Sequence, residues 1–185
     1  MVKQILSETE DKMQKSLLAV KRDFGSLRTG KASPALLDGI RVDYHGTVMP
    51  LNQLASVSAP EPRLMVVQAW DKSVVGEISK AIQIADLGLN PQVDGNIIRL
   101  PIPPLNEERR RDLVKHCKKI AEEGKVAIRN IRRDANDSIK KAEKDKSVTE
   151  DEAKRGTEQV QELTNKYTDE IDEAMEAKET DIMAV

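Results

Sequence analysis

The sequence predicts an α+β protein, an elongated antiparallel three-helix bundle with a small β/α/β domain inserted into it. Apolar residues recur at helical spacing at both ends of the chain, whereas the period falls to two between Lys31 and Pro104. Charged residues make up 34% of the 185 residues and aromatic residues only 2%. This composition suits long amphipathic helices better than one thick core. We therefore predict a bundle domain of residues 1–30 and 105–185 and an inserted domain of residues 31–104.

The first helix carries one apolar stripe and ends before the insert. Its apolar residues alternate at spacings of four and three, through Met13, Leu17, Val20, Phe24 and Leu27. Gly30 and the nearby Pro34 end the pattern. Two short crossings then join the domains, and we predict a hinge in each, at Thr29, Gly30, Lys31, Pro101, Pro103 and Pro104.

The insert alternates apolar and polar residues in short runs. Ile40 to Tyr44, Ala55 to Ala59 and Leu64 to Ala69 are predicted strands, and an Asp-Gly-Asn turn predicts a hairpin between Gln92 and Leu100. One helix interrupts these strands. Asp71 should cap it and Gly88 should end it.

Two long helices follow the insert. Asn106 is a good N-cap for the second, whose predicted stripe is Leu113, Cys117, Ile120, Gly124, Ala127, Ile131 and Ala135. Thr149 to Glu152 match a capping box at the start of the third, whose stripe continues to Ala174. Each helix should be about 50–60 Å long at 1.5 Å per residue.

Charge is divided unevenly along these helices. Residues 105–146 contain fourteen basic and nine acidic residues, a net charge of +5. Residues 147–185 contain four basic and twelve acidic residues, a net charge of −8, although the whole chain carries only −2. Such a separation orients a molecule near a polyanion.

The second helix carries the candidate binding residues. In the predicted register nine basic residues project away from the apolar stripe: Arg111, Lys115, Lys118, Lys119, Lys125, Arg129, Arg132, Arg133 and Lys140. Among them Arg129, Arg132 and Arg133 share one face, because residues three and four apart are neighbours on a helix. Arginine side chains bind phosphate oxygens in a bidentate manner. The alternative is pairing with acidic residues of the same helix, namely Glu122, Glu123, Asp134 and Asp137.

Aromatic residues are too few to predict stacking on single-stranded bases. Trp70, Tyr44, Tyr167 and Phe24 are all expected in the core. Any nucleic acid should therefore be bound through its backbone and shape, as suits folded RNA.

Enzymatic activity is not expected. No sequence-local arrangement around His45 or His116 suggests an activated nucleophile, and Cys117 lies on the predicted apolar stripe. Metal-binding spacings and nucleotide-binding loops are also missing from the sequence. The charged amino terminus, the single cysteine and the lack of a long apolar run predict a soluble, cytoplasmic protein without membrane contact.

Several stretches resemble the bacterial ribosome recycling factor family. They are LRTGKASPALLDGIRVDYHGTVMPLNQLA, DLGLNP, IRLPIPPLNEERRRDLVK, KVAIRNIRRDAND and DEIDEAMEAKETDIMAV. Lys31 stands where that family usually has arginine, His45 where a second tyrosine is common, and the stretch PEPRLMVVQAWD matches loosely.

The resemblance implies an L-shaped, tRNA-like outline and a role after translation termination. The factor binds the post-termination ribosome and, with elongation factor G and GTP hydrolysed by that partner, separates the subunits and releases mRNA. The bundle then binds large-subunit ribosomal RNA and the insert faces the partner. The implied RNA contacts are Arg110, Arg129, Arg132 and Arg133, with Arg28 beside the joint. The chain itself needs no cofactor and acts as a monomer.

Two other functions remain open at this point. One is a helical adaptor that binds RNA or protein without recycling activity, with the acidic third helix as its contact. The other is a small enzyme in the insert that uses His45. A strong inverse salt dependence of RNA binding would separate phosphate recognition from the adaptor.

Overall fold

The computed structural model describes residues 1–27 and 29–184, which form two compact units. One unit contains Met1–Phe24 and the chain from Val114 onward, and the other is Gly25–Leu113. Both predicted crossings, and the first turns of the helix after them, thus lie within the second unit. The long helices are α1 (Val2–Gly25), α3 (Glu107–Lys144) and α4 (Glu150–Met183), whereas α2 (Val75–Ile84) belongs to the insert.

The first unit is the predicted bundle, in which α3 runs antiparallel to both other helices. Gly156 of α4 lies against Ile139 of α3, and Lys125 of α3 reaches Asp172 of α4. Gly156 also lies against Val2 of α1, while Val20, near the other end of α1, packs on Gly124. These contacts fix the directions of the three helices.

The helix ends follow the chemistry of their sequences. The Asn106 side chain accepts a hydrogen bond from the Arg109 backbone N–H at 2.7 Å, so it caps α3 as predicted. At α4 the Thr149 hydroxyl accepts from the Glu152 N–H at 3.2 Å, and the Glu152 carboxylate accepts from the Thr149 N–H at 2.8 Å. This reciprocal pair confirms the capping box.

The second unit holds two antiparallel sheets. Strands β1 (Arg41–Tyr44) and β2 (Thr47–Pro50) form a hairpin, whose turn contains His45 and Gly46 at positive φ. The other sheet has the order β3-β4-β6-β5, and its strands are β3 (Ala55–Glu61), β4 (Leu64–Ala69), β5 (Gln92–Asp94) and β6 (Ile97–Pro101). Gly95 turns the chain between β5 and β6 at φ 62°, which confirms the predicted hairpin.

One face of this sheet packs on α2 and β1 around a continuous aliphatic core. Met65 and Val67 of β4 lie opposite Leu100 and Ile98 of β6, and all four are fully buried. The Asp71 side chain accepts from the Ser73 N–H ahead of α2, as expected for a cap. The helix ends at Ile84, before the predicted end at Gly88, because Asp86 already takes the left-handed conformation (φ 51°). Gly88 takes it as well (φ 69°).

Candidate nucleic-acid interface

The buried stripe of α3 matches the predicted one at every second position and is shifted by one residue towards the C-terminus at the positions between. Cys117 and Gly124 are buried as expected, but Ala121 and Ile128 are buried in place of Ile120 and Ala127, which are half-buried. The buried face is therefore rotated towards the positions that follow Ile120 and Ala127. This rotation changes the surroundings of two of the nine basic residues.

Seven of those residues are exposed and two are half-buried. The exposed ones are Arg111, Lys115, Lys118, Lys119, Arg129, Arg133 and Lys140. Lys125 and Arg132 instead lie at the edge of the stripe and reach across to α4. The prediction that all nine project away from the stripe is thus wrong for these two, because the stripe turns towards them.

Arg129, Arg132 and Arg133 form what we name the arginine ridge. The Arg129 guanidinium donates to Glu122 at 3.3 Å, whereas Arg132 donates to the Gln161 amide oxygen of α4 at 3.3 Å. Arg133 donates to the Asn130 amide oxygen at 3.0 Å. Two of the three guanidinium groups are therefore held by neutral amides, which orient them without neutralising their charge.

The alternative of pairing within the helix applies to Arg129 alone. Within residues 1–27 and 29–184, neither Arg132 nor Arg133 has a carboxylate oxygen within 4.0 Å. Glu122 itself is shared, since the Lys125 ammonium lies 3.6 Å from it and 3.0 Å from Asp172. The hydrogen bond to Asp172 raises the pKa of Lys125, so this ammonium stays charged at neutral pH. The ridge keeps an excess of positive charge.

The other predicted site residues lie elsewhere. Arg110 is half-buried on the first turn of α3, within the second compact unit. Arg28 lies outside the described residues. Gly30 has φ +81°, and a Cβ there would be 3.3 Å from the Leu105 side chain, so the position favours glycine.

The second crossing is anchored at its start. Pro101 is the last residue of β6 and lies opposite Leu64. The buried Ile102 donates its N–H to the Arg63 carbonyl at 2.8 Å and accepts from the Arg63 side chain at 3.2 Å. Pro103 and Pro104 are exposed, as is Lys31, while Thr29 is half-buried. A hinge role for these positions stays a prediction.

The side chains that could take part in catalysis, namely Cys117, His45 and Tyr44, make packing contacts or hydrogen bonds within the fold. Cys117 is buried as predicted, and burial raises the pKa of its thiol, which keeps it protonated and unreactive. His45 packs against the Tyr44 ring with 4.4 Å between ring centroids, at a cavity of about 320 Å³. The Tyr44 hydroxyl donates to Asp71 at 3.0 Å, and this contact raises the pKa of the phenol.

The aromatic residues are not all in the core. Phe24 and Tyr167 are buried as expected, and Tyr44 is half-buried. Trp70, however, is 67% exposed, so its assignment to the core is wrong. The buried residues of β4 are the odd-numbered ones, ending with Ala69, so the same alternation places Trp70 on the outer side of the strand.

Comparison with known proteins identifies the family. The family model described as ribosome recycling factor matches residues 20–183. The chain belongs to the ribosome recycling factor family. Ribosome-recycling factors of Carboxydothermus hydrogenoformans and Desulforamulus reducens are 55% and 57% identical, over 100% of both chains in each case.

Solved structures of ribosome recycling factors share the fold. A solution structure of the ribosome recycling factor is 46% identical with a TM-score of 0.81, covering 100% of this chain and 98% of the other. A second match has 47% identity, a TM-score of 0.71 and full coverage of both chains. It comes from models of the T. thermophilus ribosome recycling factor and E. coli elongation factor G bound to the E. coli post-termination complex.

In the part of the chain that the structure describes, no three His, Cys, Asp or Glu side chains are grouped to hold a metal ion. None of the helices formed by residues 1–27 and 29–184 is long and apolar enough to span a membrane.

Proposed function

We propose that this chain recycles ribosomes after translation termination. It binds the post-termination ribosome and, with elongation factor G and GTP, separates the subunits and releases the mRNA. The observation that carries this proposal is the full-length match, at 47% identity, to a chain from the assembly of a recycling factor and elongation factor G on a post-termination complex. The location of action would then be the cytoplasm, where these partners work.

The arginine ridge is the proposed contact with large-subunit ribosomal RNA, together with Arg110 and Arg28. The uncompensated guanidinium groups of Arg132 and Arg133 support this role, since each keeps several N–H donors for phosphate oxygens. Their amide partners hold the side chains in place before binding, which reduces the entropy lost when RNA is bound. A rigid helix carrying such groups suits recognition of a folded RNA surface by shape.

The inserted domain is the proposed contact with elongation factor G, and the crossings are the proposed hinge. In this mechanism the partner pushes the insert, and the bundle transmits the force to contacts between the ribosomal subunits. The free energy comes from GTP hydrolysed by the partner. The chain itself acts as a monomer, without a cofactor and without catalysing a reaction.

The direct test is subunit splitting by the purified chain. Stalled post-termination ribosomes are mixed with the chain, elongation factor G and GTP, and light scattering follows dissociation into subunits. We expect a fall in scattering that requires all three additions and is absent with a non-hydrolysable GTP analogue. Unchanged scattering with active ribosomes and active elongation factor G would contradict the proposal.

A matched pair of variants tests the ridge. Arg132→Gln removes one guanidinium but keeps a good helix former, and Lys154→Gln removes an exposed charge on α4, outside the nine candidate binding residues. Arg132→Gln should weaken ribosome binding at physiological salt and reduce the slope of log affinity against log salt by about 1. Lys154→Gln should change affinity much less. Equal effects of the two, or binding independent of salt, would favour the adaptor function instead.

A further inference from the structure

Trp70 is an exposed aromatic residue that ribosomal RNA binding by the bundle does not use. It is the single tryptophan of the chain and its side chain is 67% exposed. Its backbone N–H donates to the Leu54 carbonyl at 3.2 Å, so the residue is anchored although its indole is in solvent. Tryptophan in such a position is enriched among residues that dominate protein interfaces.

A groove of about 360 Å³ lies beside this indole, within the second compact unit. Its apolar floor and walls come from Pro34, Leu37, Leu51, Ala55 and Val57. Leu37, Leu51 and Ala55 are buried beneath it, so the floor belongs to the rigid core. The groove can therefore receive an apolar side chain without rearrangement of the insert.

The groove also follows an open sheet edge. Strand β3 lies at the end of its sheet, and within residues 1–27 and 29–184 its one partner strand is β4. In an antiparallel pair every second residue bonds to the partner strand, and the Trp70 N–H donates to the Leu54 carbonyl. By this alternation the N–H and C=O of Ser56 face β4, whereas those of Ala55 and Val57 face the groove. An extended segment lying in the groove could bond to these groups as an added strand.

Charge favours a protein occupant over nucleic acid. Asp38 is the one ionisable residue among those that line the groove, and it is exposed. Across residues 1–27 and 29–184 its carboxylate has no cation within 4.0 Å. A carboxylate repels phosphate, whereas it would pair with a Lys or Arg that accompanies the apolar side chain.

We propose that the Trp70 groove docks an extended segment of elongation factor G that carries an apolar side chain next to a Lys or Arg. The choice of partner rests on the proposed function. In that function the groove residues are the part of the insert that elongation factor G contacts. Trp70 covers the apolar side chain, Asp38 pairs with the cation, and the β3 edge holds the backbone.

The kinetic test uses two variants and one matched control. Trp70→Ala and Asp38→Lys alter the groove, while Ile84→Ala truncates a smaller but comparably exposed apolar side chain, 72% exposed, that does not line it. Subunit splitting is measured against the concentration of elongation factor G, and ribosome binding is measured without it. Far-UV circular dichroism and the melting temperature verify that each variant folds.

We expect both groove variants to raise the half-maximal concentration of elongation factor G by about five- to thirtyfold, the range of one interface anchor. Their ribosome affinity without that factor, and both properties of Ile84→Ala, should match the wild type. If the wild type splits subunits and the groove variants do so at the same factor concentration, the docking assignment is wrong while the proposed function stands. If the wild type does not split subunits, the proposed function fails and this assignment with it.

A photo-crosslink identifies the occupant directly. Trp70→p-benzoylphenylalanine is irradiated on purified ribosomes with elongation factor G and a non-hydrolysable GTP analogue. A crosslink to a segment of that factor with adjacent apolar and basic residues supports the assignment. Crosslinks only to ribosomal RNA or to a ribosomal protein, or no crosslink, overturn it.

Discussion

The bundle and the insert bury their apolar residues in different ways. In the bundle, small residues such as Gly124, Ala135 and Gly156 alternate with aliphatic ones such as Ile139 along the facing helices. In the insert the core is a single cluster of large aliphatic residues between the sheet and α2. The bundle thus depends on close approach of backbones, whereas the insert depends on filling a volume. Added atoms should damage the first, and removed atoms the second.

The largest effect should follow from removing volume from the insert core. Ile98→Ala should lower the free energy of unfolding of the insert by about 2–5 kcal/mol, because a fully buried side chain leaves a cavity. Hydrogen exchange of the β4 and β6 amides measures this loss separately from the bundle. Val93 lies opposite Ile98 but is 53% exposed, so Val93→Ala should cost about 0.5 kcal/mol or less. Equal losses of unfolding free energy for the two variants would contradict the idea that the insert is stabilised by its filled core.

The next effect should follow from adding one carbon to the bundle. A Cβ at Gly124 would clash with Val20 Cγ2. Relieving this clash should cost about 1–3 kcal/mol, which outweighs the gain in helix propensity of about 1 kcal/mol, so Gly124→Ala should destabilise the bundle. Urea unfolding followed by circular dichroism measures it.

The control for this prediction is Gly76→Ala in α2, where the added Cβ meets nothing within 4 Å. It should be neutral or stabilising by up to about 1 kcal/mol. In a Val20→Ala background the Gly124→Ala loss should shrink, because the clashing methyl is gone. A stabilising Gly124→Ala would show that the helices separate easily.

A smaller effect is expected at the start of α4. Thr149→Ala removes one half of the capping box and should cost about 1 kcal/mol in bundle stability. Thr180→Ala, which removes an exposed hydroxyl inside the same helix, should be close to neutral. Thermal unfolding of the two variants gives the comparison, and similar melting temperatures would mean that α4 does not need its cap.

The smallest effect concerns acid sensitivity of the insert. Hydrogen bonds from Ser73, then from Tyr44, hold the pKa of Asp71 below its ordinary value. Because the folded pKa is depressed, this stabilisation is present above the ordinary pKa and is lost as the pH falls through the folded one. Tyr44→Phe should raise the Asp71 pKa, measured by NMR titration, and shift acid unfolding of the insert to higher pH. An unchanged titration would mean that the Tyr44 contact is not made in solution.

Most elements could be predicted because their signals are local. The capping groups of Asn106 and Thr149, the alternation of β4 and the Asp-Gly-Asn turn depend on residues within a few positions of each other. Helical spacing and charge also predicted the ridge arginines, the resemblance added Arg110 and Arg28, and the structure added the hydrogen-bond partners of the ridge. Gln161 lies on another helix from Arg132, and nothing in the spacing of either residue links them.

The sequence alone therefore determined where the long helices and most strands form, although not β2, and that α3 carries excess positive charge. Only the tertiary structure decided which basic residues keep that charge free and that Trp70 faces solvent. The physical reason is that periodicity locates the buried face of a helix only to within about one residue. Packing against two neighbouring helices then selects the rotation of the helix within that range. The alternation of β4 indicates the side of the strand on which Trp70 lies, whereas tertiary packing decides whether a distant segment covers that side.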